Sequence, residues 1–168
     1  MSLPALIGHR PRMGALAPRF RYVLQDRRDA DLVSLKGQVV VLCSVPSLDT
    51  STCALETRTF DQRAAGLGAT VLIASMDLPF AMKRFCVAEG IGNVTTGSDF
   101  RYRDMHDGWG VGIAEGPMQG TLARAVWVID KDGVIRYEEL VPELGREPDY
   151  DAALSAAKAL VRPPFNRA

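Results

Sequence analysis

Cys53 stands seven residues after Pro46, in Pro46-Ser47-Leu48-Asp49-Thr50-Ser51-Thr52-Cys53, behind the apolar run Val39-Val40-Val41-Leu42. That run reads as a buried strand. Thr57, Phe60, Ala64 and Leu67 repeat behind Cys53 at helical spacing, so the thiol is expected in the first turn of an amphipathic helix. A sulfur there meets backbone N–H groups that lack intrahelical partners, and the positive end of the helix dipole. Both favour thiolate over thiol, and the thiolate is the form that attacks electrophiles.

Four more residues bear on that chemistry. Thr50, three positions before Cys53, reads either as a helix cap or as a hydroxyl offered to a bound ligand, and Pro46 as the residue that shapes the loop and blocks water. Arg124 lies in Leu122-Ala123-Arg124-Ala125-Val126-Trp127-Val128-Ile129, where alternation puts it on the face of Leu122, Val126 and Val128. A guanidinium on that buried face needs an anionic partner or a full set of acceptors, and an internal ion pair with a carboxylate would serve. Cys86 falls well inside a second predicted helix, without the first-turn advantage, and reads as a buried structural thiol or as a second redox thiol. Cys43, inside the apolar strand, reads as inert packing, because burial raises a thiol's pKa. Glu56 and Arg58 read as solvated helix residues.

Several other chemistries are disfavoured. Cys53 is followed by Ala54-Leu55-Glu56, so no Cys-x-x-Cys motif is present, which argues against a general disulfide oxidoreductase. His9 and His106, the two histidines, do not stand at ligand spacing from a cysteine, and no zinc site is expected. Gly110-Val111-Gly112-Ile113-Ala114-Glu115-Gly116 has its last glycine misplaced for a dinucleotide loop, and Pro117 follows where a helix should begin. Twenty basic and twenty acidic residues cancel without a long run of either sign, so no electrostatic footprint for nucleic acid or an anionic membrane is visible. No stretch reads as a secretory leader or a membrane span, which leads us to expect a soluble, cytoplasmic chain. Three cysteines in 168 residues do not make a secreted disulfide scaffold.

The elements that must position these residues can be read in order. Phe20, Tyr22 and Leu24 alternate before Gln25-Asp26-Arg27-Arg28-Asp29, which suggests an N-terminal hairpin. Strands are expected at 39–45, 70–75 and 123–129, with Lys131-Asp132-Gly133 turning into a strand at 134–137. Helices are expected at 52–67, at 79–89 from Pro79 to just before Gly90, and at 151–161 ahead of Pro163-Pro164, with a short one at 105–109. The length suits one domain with its own core. The element order supports an α/β fold with a mixed central sheet flanked by helices.

The segment from Ser44 to Cys53 resembles the peroxidatic motif of the thiol peroxidases, the atypical two-cysteine peroxiredoxins, with its Pro…Thr-x-x-Cys core. Met76-Asp77-Leu78-Pro79-Phe80-Ala81-Met82-Lys83-Arg84-Phe85-Cys86 resembles the family's resolving-cysteine helix. Leu122-Ala123-Arg124-Ala125-Val126 resembles its arginine strand, and Glu147-Pro148-Asp149-Tyr150 the start of its last helix. The resemblance runs from about residue 14 to about 158. It implies a thioredoxin-like fold with an N-terminal hairpin extension: one domain at 14–168 behind a segment at 1–13. It further implies peroxide reduction through a Cys53 sulfenic acid and a Cys53–Cys86 intrachain disulfide, assisted by Thr50, Arg124 and Pro46 and recycled by thioredoxin in a homodimer without a cofactor. The alternative is a thiol-based redox sensor or binding module on the same fold. Ser51 stands where relatives often carry proline, Cys43 is an extra thiol, and the N-terminal hairpin is shortened.

Overall fold

The computed structural model describes residues 2–162; Met1 and residues 163–168, among them Pro163-Pro164 and the end of the expected 14–168 domain, lie outside the described residues. Nine strands and four α-helices are laid out in chain order within the described residues. They are β1 (Leu6–Ile7), β2 (Arg21–Val23), β3 (Asp29–Asp31), β4 (Val40–Ser44), α1 (Ser51–Ala64), β5 (Thr70–Ser75), α2 (Pro79–Glu89), β6 (Thr95–Ser98), α3 (Asp104–Gly108), β7 (Gly112–Ile113), β8 (Ala125–Ile129), β9 (Ile135–Leu140) and α4 (Tyr150–Val161). A 3₁₀ turn spans Leu32–Leu35. Seven strands form one sheet in the order β3-β2-β6-β5-β4-β8-β9, and β1 pairs with β7 in a separate ribbon. β4, β5 and β6 run parallel to one another, whereas β8 lies antiparallel to β4, so the sheet is mixed as expected.

β4 is buried along its whole length, which is why Val40-Val41-Leu42-Cys43 reads as a continuous apolar run without polar alternation; Ser44 at its end is satisfied by donating to the Ala123 carbonyl. Its side chains still point alternately to two cores. Val41 and Cys43 pack with Cys53 and Phe60 of α1, Met82 of α2 and Ala153 of α4. On the other face Val40 and Leu42 pack with Phe20, Tyr22, Met105 and Trp109. The helices α1, α2 and α4 thus share the face on which Cys53 lies.

The ends of the helices follow from local chemistry. Thr50 caps α1. The helix stops at Ala64, short of the expected Leu67, because Gly66 and Gly68 turn the chain with positive φ. α2 begins with Pro79 at its first turn and ends at Gly90, whose left-handed backbone returns an N–H to the carbonyls of Cys86 and Val87. Asp149 caps α4 by accepting from Ala152 N–H.

Two expectations for the arginine segment need correction. Regular strand begins at Ala125, so Arg124 is the residue just ahead of β8. Arg124 is buried as expected. Leu122, however, packs in the opposite core with Ala123 and Ala125, because the chain enters β8 through an isolated bridge from Leu122 to Gly112 that breaks the alternation. Strands β1, β6 and β7 were not foreseen. β6 is Thr-Thr-Gly-Ser, and its place is set by pairing with β5 and by Tyr22: a Cβ on Gly97 would lie 2.8 Å from that ring.

Phe60 is fully buried under α4, edge-on to Tyr150 with 5.1 Å between ring centroids. Phe60→Ala is expected to lower unfolding free energy by about 3–5 kcal/mol, measured by urea denaturation, since the void lies between helix and sheet where little can collapse into it. A loss below about 1 kcal/mol would show that the α1–sheet core is not packed as described.

Candidate active site

The site is built at the carboxyl end of β4, where the chain leaves the sheet, turns through residues 45–50 and enters α1. Cys53 lies in the first turn of that helix, as its spacing predicts, and is 0% exposed. Thr50 caps the helix: its Oγ1 accepts from Cys53 N–H at 3.4 Å and donates to the carbonyl of Ser47 at 3.0 Å. The cap reading of Thr50 therefore holds in the resting site, and the Cys53 N–H is engaged by it. Pro46 is buried in the same turn. The hydrogen bond found at the sulfur comes from a side chain: Arg124 Nη1 lies 3.4 Å from Cys53 Sγ.

Arg124 reaches this point from the start of β8 and is 1% exposed. The same Nη1 donates to Glu56 Oε1 at 2.7 Å, and Nη2 donates to the Leu144 carbonyl at 2.9 Å. Glu56, expected at the solvated face of its helix, is instead 0% exposed and ion-paired. One helical turn separates it from Cys53, so the two side chains share the face of α1 that Arg124 meets. Burial pushes the Glu56 carboxyl up to about 7, although Arg124 pulls the other way. Burial also works against the guanidinium, but Cys53 and Glu56 outweigh it and hold Arg124 above its ordinary range. Glu56 Oε2 and Arg124 Nε find no partner among the described residues.

The turn before α1 is tied to the start of α2 through Asp77. Its carboxylate accepts from Ser47 Oγ at 2.7 Å, Leu48 N–H at 2.8 Å and Ser75 Oγ at 2.7 Å. Cys86 lies seven residues beyond Pro79 in α2 and is 6% exposed; burial pushes its thiol up, with Gln25 pulling the other way. Cys43 is fully buried in β4, and burial pushes it well above the ordinary thiol value, as expected of a packing residue. All three cysteines are free thiols. An apolar cavity of about 330 Å³ lined by Leu16, Phe20, Leu32, Val33, Val40 and Ile129 opens on the other face of the sheet and is not the thiol's pocket.

The site is thus a buried thiol at a helix start, donated to by a buried guanidinium. The redoxin family profile matches residues 12–154. The chain belongs to the redoxin family. Among curated members, it is 49% identical over 157 residues to the thiol peroxidase of Leptospira interrogans, covering 92% of each chain. It is 50% identical over 153 residues to that of Mycobacterium bovis, covering 91% of this chain and 92% of the relative. The crystal structure of a peroxiredoxin-like protein from Aquifex aeolicus superposes with a TM-score of 0.88 at 47% identity, covering 92% of this chain and 91% of that one. These matches place this redoxin among the thiol peroxidases, peroxiredoxin-type oxidoreductases on a thioredoxin-like fold.

The raised carboxyls give this redoxin a defined pH dependence. Glu56 rises from 4.5 to about 7, and Asp99, buried and accepting from the N–H groups of Met105 and His106, rises from 3.8 to about 6. Between the unfolded and folded values the native chain keeps protons that the unfolded chain has released, so stability falls as pH rises through that window and levels off above about 7. The carboxyls held low, among them Asp104 and Asp130, act only below their ordinary value of 3.8. Urea midpoints are expected to fall between about pH 5 and 8, and Glu56→Gln is expected to shrink that fall. An unchanged pH dependence in the variant would contradict the assignment to Glu56.

Proposed function

We propose that Cys53 is the peroxidatic thiol of a peroxidase that reduces hydrogen peroxide and organic hydroperoxides, with Cys86 as its resolving thiol. The observation that carries this reading is the 3.4 Å contact of Arg124 Nη1 with the Cys53 sulfur in a fully buried first-turn position. The Cys53 thiolate attacks one peroxide oxygen; an S–O bond forms, the O–O bond breaks, and the electron pair leaves with the departing oxygen, which takes a proton. Charge therefore moves from sulfur to oxygen across a site where a guanidinium is already fixed, so no reorganisation is needed when the charge arrives. Arg124 Nε, without a partner among the described residues, is a spare donor for the peroxide. Thr50 Oγ1 has acceptor capacity left for a peroxide O–H, and Pro46 walls the turn.

Resolution follows by attack of Cys86 on the sulfenic acid, with loss of water, to give an intrachain disulfide. A dithiol then exchanges with it and restores both thiols. The two cysteines lie on separate helices, and this reading takes them to be farther apart in the fully folded chain than the Cα separation of below about 7 Å that a disulfide allows, so that local unwinding around one of them accompanies resolution. The same reading takes the reductant to be thioredoxin, the assembly to be a homodimer and the compartment to be the cytoplasm, where dithiol systems keep thiols reduced.

Two sets of variants test the assignment. Cys53→Ser is expected to abolish peroxide consumption in a thioredoxin, thioredoxin reductase and NADPH assay, and Cys43→Ser to leave it nearly intact. Equal losses would sink the choice of Cys53. Arg124→Met is expected to slow sulfenic acid formation by roughly 10²–10³-fold in stopped-flow oxidation, the scale of removing one preorganised donor. A folded variant that reacts at the parent rate would leave Arg124 a structural residue.

Cys86→Ser is expected to oxidise once at Cys53 and stall, passing to sulfinic acid under excess peroxide, whereas the parent forms a Cys53–Cys86 bond within one chain. Peptide mass mapping reads both outcomes. A bond between two chains, or steady turnover without Cys86, would overturn the resolving role.

A further inference from the structure

Arg124 turns one nitrogen to two buried acids: its Nη1, which carries two hydrogens, is 3.4 Å from Cys53 Sγ and 2.7 Å from Glu56 Oε1, so a single positive charge serves both. Both acids are 0% exposed, so water screens neither. The guanidinium's third contact is the Leu144 carbonyl, a neutral acceptor that adds no charge. Glu56 Oε2 finds no donor among the described residues, a position far less costly for a neutral carboxylic acid than for a carboxylate.

None of the other groups that face Glu56 supplies a charge that would support a second anion. Glu139 of β9 and Glu147 ahead of α4 are acidic and act on it through space. Tyr150 of α4 and Cys43 of β4 are pushed above their ordinary values, so near neutral pH they stay protonated and bring no counter-charge. One positive charge in a dry pocket balances one negative charge, and placing a second there meets the full repulsion of a poorly screened site.

We propose that Glu56 is the charge-balancing partner of Cys53: the pocket holds a single anion at a time, the carboxyl being protonated while the sulfur is thiolate and ionised once the sulfur is neutral. The resting exchange is Cys53–SH with Glu56–COO⁻ going to Cys53–S⁻ with Glu56–COOH, in which one S–H bond breaks, one O–H bond forms and the net charge is unchanged. Peroxide attack continues the same account. Thiolate, carboxylic acid and hydroperoxide become sulfenic acid, carboxylate and alcohol; the departing oxygen gains one proton as Glu56 loses one, and Arg124 passes from one counter-ion to the other. Glu56 acts through Arg124 and is a positioning residue for the proton and charge balance of the step. The inference rests on Cys53 being the attacking thiol.

The test compares chains carrying Cys86→Ser alone with chains that add Glu56→Gln or Glu56→Asp, oxidised by hydrogen peroxide in stopped flow from about pH 5.5 to 8.5. The ratio of the Gln rate to the parent rate is expected to climb at least about fivefold across that range, because the amide keeps the hydrogen bond to Arg124 but never competes for its charge. The Asp ratio is expected to stay flat. A Gln ratio that is constant with pH, as a purely structural role predicts, would overturn the proposal.

A second readout needs neither peroxide nor a variant. With ¹³C-glutamate labelling, the infrared difference between the reduced wild-type protein and the same protein with Cys53 blocked by iodoacetamide, taken near pH 6.5, is expected to show loss of a protonated carboxyl band and gain of a carboxylate band. A protonated band that survives blocking would refute the exchange, and this measurement decides the matter if Glu56→Gln does not fold. Failure of the unsubstituted protein to react with peroxide would count against the peroxidase reading instead, while the infrared exchange would still report on Cys53 and Glu56.

Discussion

The guanidinium of Arg124, taken out of water, is the constraint on which the site depends. A desolvated cation is tolerated only where its neighbours return what hydration supplied, and here those neighbours come from separate parts of the chain: Cys53 and Glu56 from α1, and the Leu144 carbonyl from the segment after β9. Each of these parts must therefore be in place before the charge can be buried. α1 is fixed by its Thr50 cap and by Phe60 against Tyr150, and the end of β9 is fixed by the Val141 N–H that donates to the Arg124 carbonyl. The thiol is consequently held by the tertiary fold as much as by its own helix.

That arrangement also links the helices that carry Cys53 and Cys86, the two thiols of the proposed cycle. Asp77 stands between the turn that delivers Cys53 and the helix that carries Cys86, accepting hydrogen bonds from Ser47, Leu48 and Ser75. Were the first turn of α1 to unwind, as the proposed resolution requires, it would pull on Ser47 and Leu48, and so on the residues immediately ahead of α2. Arg58 of α1 adds an ion pair with Glu89 at the far end of α2, but both side chains are partly exposed, and such a pair is worth little. The polar tie through Asp77 is the stronger connection, because it joins a carboxylate to a backbone N–H and two hydroxyls in a half-buried place.

What the sequence discloses of this site divides along the distance over which its causes act. The thiol at a helix start is written in one short stretch of chain from Val39 to Leu67, so a strand, a turn and a 3.6-residue repeat suffice to find it. The inert setting of Cys43 is equally local, since it follows from an apolar strand. Glu56 escaped because one Glu on a helix resembles any solvated Glu; its burial is caused by an arginine 68 residues away. A signal was nonetheless present. Arg124 on a buried face demands an anion, and Glu56 is the carboxylate one helical turn from the thiol that Arg124 also serves. Alternation misplaces Leu122 because the backbone there is a bridge and not a regular strand, and β1, β6 and β7 carry no sequence signal because such short segments owe their conformation to their partners.

Charge burial on this scale does not make sense as a source of stability. Apolar side chains of similar volume commonly hold a fold together as well as a buried ion pair does, or better, because they escape the desolvation cost. The surroundings offer that alternative: Val41, Val126, Val128 and Ala153 pack against the same face of the sheet without any polar atom to satisfy. Arg124 and Glu56 each leave one polar atom without a partner among the described residues, a further cost in the folded state. The pair's place is accounted for by its neighbour rather than by stability, and the neighbour that Arg124 touches is the Cys53 sulfur. In the proposed reaction the guanidinium's charge, held in place with little solvent to screen it, would act on sulfur and go on acting as the charge moves to oxygen, which a solvated arginine at the surface could not do.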